Sequence, residues 1–191
     1  TDLLAFENIL PITNDWIQFA KHNSNLNLEI RTKSALYHSI KDIKPSDQIL
    51  LAWTLSPDII VKKYELNTPP LSKRISAIKS ALVDGWKVRL CFDPILHYDG
   101  WEEDYLELFN EVKSSLILDQ LSDITVGVFR MGNDYFNRIR KSKPTSDLFY
   151  ENYNNCDGKK MIDSEKQREI NQFVSKFFFD HFDKNKIYFC D

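Results

Sequence analysis

From Leu71 to Asp93 the chain reads LSKRISAIKSALVDGWKVRLCFD. Leu71, Ile75, Ile78 and Leu82 step by four, three and four, which lines one face of an α-helix. Gly85 follows where a left-handed cap usually closes a helix, and Lys87–Asp93 is a short apolar run of strand composition. Outward from this βα element, Leu26–Thr32 (LNLEIRT), Gln48–Thr54 (QILLAWT) and Asp123–Arg130 (DITVGVFR) read as further strands. Tyr105, Phe109, Val112 and Leu116 predict another helix between the last two. The order β-α-β-α-β-α-β implies right-handed crossovers and a parallel sheet. An open doubly wound sheet and part of a (βα) barrel both fit that order. In either one, a ligand meets the C-terminal ends of the strands, here Arg31–Ser34, Thr54–Ser56, Asp93–Pro94 and Phe129–Gly132. An early helix is expected over much of Leu3–His22, interrupted at Pro11. A late one is expected from Ser164 to His181, opened by a Ser164-x-x-Gln167 capping box, with a final strand at Ile187–Cys190.

Composition sets the bounds. With 191 residues, 42% hydrophobic and 28% charged, the chain can bury one substantial core, and disorder is excluded. A formal charge of -3 gives no overall basic field. Cys91, Cys156 and Cys190 form neither a disulfide framework nor a metal knuckle, and fit a reducing, cytoplasmic setting. No apolar run approaches the roughly 20 residues that span a bilayer. The chain opens on Thr1-Asp2-Leu3-Leu4 without Met or a signal peptide, which reads as a processed or truncated product. There is no GxGxxG and no GxxxxGK[ST] among only five glycines, so a nucleotide-binding Rossmann reading has little support. His22, His38, His97 and His181 stand apart, which argues against zinc.

Three places at or near the strand ends carry chemistry. Lys33 can hold a ligand carboxylate as a point charge, or be a solvated loop lysine. Asp93, before Pro94, either faces a ligand or simply ends a strand. Arg130–Lys143 (RMGNDYFNRIRKSK) interleaves Arg130, Arg138, Arg140, Lys141 and Lys143 with Tyr135 and Phe136. That mixture suits phosphate contact with base stacking, and equally suits an amphipathic helix. The acidic stretch Asp99–Asp104 with Glu107 and Glu111 reads as a solvated helix start.

One run is more specific. It comprises Lys63-Tyr64-Glu65-Leu66-Asn67-Thr68-Pro69, the helix through Arg74, Cys91-Phe92-Asp93-Pro94-Ile95, and His97-Tyr98-Asp99-Gly100-Trp101-Glu102-Glu103 with Tyr105-Leu106-Glu107-Leu108-Phe109. It resembles the C-terminal half of the spore photoproduct lyase family, radical S-adenosylmethionine enzymes that repair a thymine dimer in DNA. The resemblance implies an α/β chain whose parallel βα repeats form the C-terminal part of a partial (βα)6 TIM-like barrel, with a C-terminal helix and strand. Residues 1–130 would hold the barrel units, and 131–191 a C-terminal extension with the basic, aromatic segment.

The resemblance also implies site residues. The family's cofactor-binding lysine falls on Lys33, facing the methionine carboxylate. Its serine on the next strand falls on Thr54, and its contact after the third strand falls on Asp93, where members often have a small residue. No residue of this chain is assigned a catalytic role. The cluster loop CxxxCxxC is absent, and the family's hydrogen-donating cysteine would lie immediately before Thr1, so cofactor and [4Fe–4S] cluster belong to the full-length protein. The chain alone is expected neither to bind iron nor to turn over. Its expected partners are photodamaged DNA, met through Arg130, Arg138, Arg140 and Lys141, and the missing N-terminal half of the barrel, with no membrane. In place of the family's basic hairpin, an Asn/Tyr-rich segment is expected. The alternative reading is a cluster-free α/β binding or interaction module derived from such a barrel.

Overall fold

A computed structural model describes residues 2–190. Its strands there are β1 (Leu28–Thr32), β2 (Ile49–Thr54), β3 (Lys87–Ile95), β4 (Asp123–Val128), β5 (Arg130–Gly132), β6 (Asn154–Cys156), β7 (Lys159–Met161) and β8 (Ile187–Cys190). Its helices are α1 (Ile12–Lys21), α2 (Asp58–Tyr64), α3 (Leu71–Val83), α4 (Trp101–Ser115), α5 (Asn133–Ser142) and α6 (Ser164–Phe178). A five-stranded sheet in the order β1-β2-β3-β4-β8 is parallel throughout. A small antiparallel sheet, β5-β7-β6, stands beside it.

The two faces of the large sheet differ, because side chains alternate along each strand. On one face, Ile30, Leu51, Val88, Leu90, Phe92, Ile124, Val126 and Ile187 share a register and are all buried. Helices cover this side: Phe92 meets Phe109 of α4 at 4.9 Å and Phe178 of α6 at 5.6 Å. Such aromatic pairs add about 0.5–1.5 kcal/mol each beyond area burial. The opposite face carries Glu29 and Arg31 on β1, Arg89 and Asp93 on β3, and Asp123 on β4, and these groups partner one another. Ala52, between Arg31 and Arg89 in register, is small enough for charged side chains to cross β2. A doubly wound sheet is apolar on both faces because helices cover both. A parallel sheet with helices on one side and charged residues on the other departs from the doubly wound pattern and agrees with the wall of a partial (βα) barrel.

Several expectations are met. All five long strands form, and Gly85 adopts a left-handed φ of 87°. Others are corrected. The first crossover holds only a 3₁₀ turn, Leu36–Ser39, and no α-helix. The early helix does break at Pro11 as expected, with only a 3₁₀ turn at Leu4–Phe6 before it and α1 starting at Ile12. Asp163, not Ser164, caps α6, accepting the Glu165 N–H at 2.8 Å. β3 continues through a cis Asp93–Pro94 bond to Ile95. The fourth strand stops at Val128, and Arg130 opens the second sheet instead. Helix α2 was not foreseen.

Candidate functional site

The C-terminal ends of β1, β2 and β3 bring Lys33, Thr54 and Asp93 to one end of the charged wall. Lys33 follows β1 directly, and its Nζ donates to Glu65 Oε1 at 2.6 Å. Glu65 closes α2 and also accepts from Ser56 Oγ at 3.0 Å and from Arg74 Nη2 at 2.6 Å. Burial pushes the Glu65 carboxyl up, but Lys33 and Arg74 outweigh it and hold the group below its ordinary range. Arg74, on α3, has no exposed surface, and it also donates to the Thr54 carbonyl at 3.1 Å. Thr54 itself is nearly buried, and its hydroxyl makes no hydrogen bond among the described residues. At the start of the chain, Asp2 accepts from Thr32 Oγ1 and from the Lys33 backbone N–H, both at 2.8 Å.

Asp93 is the second hub. It pairs with Arg130 through two bonds, of 3.0 and 3.2 Å, and with Arg31 at 3.3 Å. Gly127 makes room for this pair, since a Cβ there would lie 2.5 Å from Asp93 Oδ1 and 2.7 Å from Arg130 Nη1. Arg130 is therefore drawn into the strand-end cluster, apart from the other basic residues assigned to nucleic acid. Those lie on α5: Arg138 and Lys141 share one exposed groove with Asn137, and Arg138 stacks over exposed Tyr135 at 5.3 Å. Arg140, four residues after the buried Phe136, is exposed on the flank of the same helix.

The Asn/Tyr-rich segment is itself a hairpin. Asp157 (φ 47°) and Gly158 (φ 74°) form the tight turn between β6 and β7, the backbone that type I′ hairpins require. It carries Lys159 and Lys160 next to α5, and Lys160 sits 6.0 Å from the Phe136 ring. An Asp-Gly pair between two short polar runs was the signal that could have found it. Lys63 and Tyr64 of α2 both bond Asp147, at 2.5 and 2.7 Å, and tie the segment after α5 to the barrel wall. Between them runs a cleft lined by Tyr64, His97, Tyr98, Phe129 and Tyr153. Burial, with a hydrogen bond to Asp104, raises the Tyr98 hydroxyl well above its ordinary value.

The cysteines do not converge. Cys91 is buried in the sheet, where desolvation pushes its thiol up to about 11, Cys156 is exposed on the hairpin, and Cys190 is on the edge strand. Among the described residues no three His, Cys, Asp or Glu side chains are grouped to hold a metal ion, and no helix is long and apolar enough to cross a membrane.

The family model described as Spore photoproduct lyase matches residues 1–190. The chain belongs to the spore photoproduct lyase family. Among curated members, the Spore photoproduct lyase of Bacillus subtilis (strain 168) is 28% identical over 168 residues, covering 88% of this chain and 46% of that protein. The one from Geobacillus sp. (strain Y412MC61) is 24% identical over 125 residues, 65% of this chain and 37% of that one. This family member thus spans about half the length of the curated relatives it matches. A solved spore photoproduct lyase double mutant with bound AdoMet and dinucleoside spore photoproduct superimposes with a TM-score of 0.84 at 20% identity, over 98% of this chain and 57% of that one. A single mutant with dinucleoside spore photoproduct gives 0.85 at 18% identity, over 98% and 58%. The family's fold therefore extends across 98% of this chain.

Proposed function

We propose that this chain is the half of a DNA photoproduct repair enzyme that grips the cofactor's amino-acid end and contacts nucleic acid. The observation that carries the reading is the convergence of Lys33, Thr54 and Asp93 at one end of the barrel wall in a member of this family. S-adenosylmethionine fits these residues. The Lys33 ammonium has three donors and spends one on Glu65, the Thr54 hydroxyl is free among the described residues, and Asp93 offers a carboxylate braced by two arginines. A [4Fe–4S] cluster does not fit, because the three cysteines are scattered and no metal-holding group occurs among the described residues. In this reading the cluster ligands come from a preceding half of the barrel, docked along the open edge of β1 and beside the exposed Trp16 and Phe19 of α1.

When bound, the cofactor supplies hydrogen abstraction from the damaged base. The residues of this chain bind and orient. Lys33 holds the methionine carboxylate as a point charge, and Thr54 offers a hydroxyl to the same ligand. Arg138, Arg140 and Lys141, with Lys159 of the hairpin, meet phosphates. Chemistry on a base requires that base out of the stack, a step this reading assigns to the whole enzyme. Residues 1–130 act in this reading as the cofactor wall, and 131–191 as the extension that meets DNA. The free cysteines agree with a reducing, cytoplasmic setting.

The test is fluorescence anisotropy of the chain with thymine-rich single- and double-stranded oligonucleotides as salt rises. Expected is binding at low salt whose log–log salt slope falls by about 0.7–0.9 for each phosphate contact removed by Arg138→Ala or Lys141→Ala. Arg130→Ala, which loosens Asp93, should leave that slope unchanged. Binding that is undetectable even at low salt would remove nucleic acid from the reading.

A further inference from the structure

The two residues read as cofactor contacts, Lys33 and Thr54, share a support that the family reading does not use. Arg74 donates from each of its three nitrogens inside the protein: Nε to the Pro69 carbonyl at 3.0 Å, Nη1 to the Thr54 carbonyl at 3.1 Å, and Nη2 to Glu65 Oε2 at 2.6 Å and Thr68 Oγ1 at 2.7 Å. Glu65 turns its other oxygen to Lys33 Nζ and Ser56 Oγ. A carboxylate has about four lone-pair sites, and with Arg74, Lys33 and Ser56 on them Glu65 has little left for a ligand. Its side chain is 8% exposed, whereas that of Lys33 is 34% exposed, so the chain of contacts runs from the core outward and ends on an ammonium open to solvent.

We propose that Glu65, clamped by the buried Arg74, is a positioning residue that fixes the Lys33 ammonium to receive the carboxylate of an amino-acid ligand. The proposal rests on the reading of Lys33 as the carboxylate contact. A lysine ends in a point charge on a flexible four-carbon stem, and one fixed partner selects among its rotamers before a ligand arrives. The same clamp holds the backbone at Thr54, so one buried ion pair aligns the ends of two neighbouring strands. Arg74 alone would satisfy Glu65 if the pair were only structural. The added bond to Lys33, 32 residues away in sequence, is what a positioning role requires.

The experiment titrates the 191-residue chain calorimetrically with S-adenosyl-L-methionine and with its decarboxylated counterpart, which keeps the sulfonium and lacks the carboxylate. The native chain should prefer the carboxylate ligand by about tenfold, the size of one charge-assisted hydrogen bond. Glu65→Gln, with its fold checked by circular dichroism, should bring that ratio close to one, and so should Lys33→Met. If Lys33→Met abolishes the preference and Glu65→Gln keeps or raises it, the positioning role is overturned while the Lys33 reading stands. If the native chain shows no preference, both fall. Should Glu65→Gln fail to fold, the lysine ammonium resonances of the native chain decide. A Lys33 signal protected from exchange before ligand and shifted by the carboxylate ligand alone supports the proposal. A Lys33 signal that is averaged with the other lysines overturns it.

Discussion

Replacing Gly127 by Ala tests the strand-end cluster most directly, because two opposing effects can be separated. Gly127 has no left-handed φ, so its backbone accepts Ala, and the substitution should gain about 0.4–1 kcal/mol by restricting the unfolded chain. Against that, the new Cβ would stand 2.5 Å from Asp93 Oδ1 and 2.7 Å from Arg130 Nη1. The pair would have to part, losing bonds of 3.0 and 3.2 Å between side chains that are 12% and 26% exposed. Charge-assisted hydrogen bonds contribute about 1.5–3 kcal/mol when shielded; with the solvent access here we take about 1–3 kcal/mol for the pair. Gly127→Ala should therefore destabilise by about 1–2 kcal/mol, a Tm drop of about 2–8 °C for a chain of this size. In an Asp93→Ala background the obstructing carboxylate is gone and the end of Arg130 is free to swing. There the same substitution should stabilise by about 0.5–1 kcal/mol. Urea unfolding followed by tryptophan fluorescence reads both values. The same sign in both backgrounds, or no loss in the native one, would refute the account of Gly127 as the seat of the Asp93–Arg130 pair.

Arg74→Met should cost about 3–5 kcal/mol by leaving Glu65 short of its buried partner, whereas Lys63→Ala, which removes an exposed contact to Asp147, should cost under about 1 kcal/mol; equal losses would contradict the burial contrast. The folded-state pKa of Glu65 lies below its ordinary 4.5, so its contribution is complete above that value and is lost as pH falls through the lower folded-state value. The stability difference between the native chain and Glu65→Gln should accordingly be flat from about pH 7 to 5 and shrink below about 4.5; a difference that grows on acidification would reverse the sign of that shift. Cys156 should react with an aromatic disulfide reagent within the mixing phase, while Cys91, buried with its thiol pushed up to about 11, should react only on unfolding. Rapid labelling of Cys91 in a Cys156→Ser/Cys190→Ser chain would show the sheet to be open there.

The large sheet was legible because each of its strands is a continuous run with turn residues at its ends, and because Leu71–Leu82 and Tyr105–Leu116 repeat at helical spacing. What stayed hidden is pairing over distance. Nothing periodic links Lys33 to Glu65, or Asp93 to Arg130 37 residues later, so both cations looked free in the sequence. The face of the sheet was hidden for a related reason: Glu29, Arg31, Arg89 and Asp123 read as ordinary polar alternation until their registers bring them together. The hairpin at Asp157–Gly158 had a local signal, outweighed by the density of Asn and Tyr around it.

This distinction bears on how the basic residues divide their work. Counted by sequence, Arg130 belongs with Arg138, Arg140 and Lys141 in one basic stretch. By geometry it begins a different strand and gives both guanidinium ends to Asp93, and such a group has little left for a phosphate. Arg138 and Lys141 have no carboxylate partner among the described residues, and they face solvent on a helix whose other side is anchored by Phe136. A guanidinium that gives both ends to one carboxylate is thus spent, whereas an ammonium that spends one of its three donors, or a cation with no carboxylate, keeps donors for a ligand. At the strand ends the fold gives a carboxylate to Arg31, Lys33, Arg74 and Arg130, whereas Arg138 and Lys141 on α5 have none among the described residues.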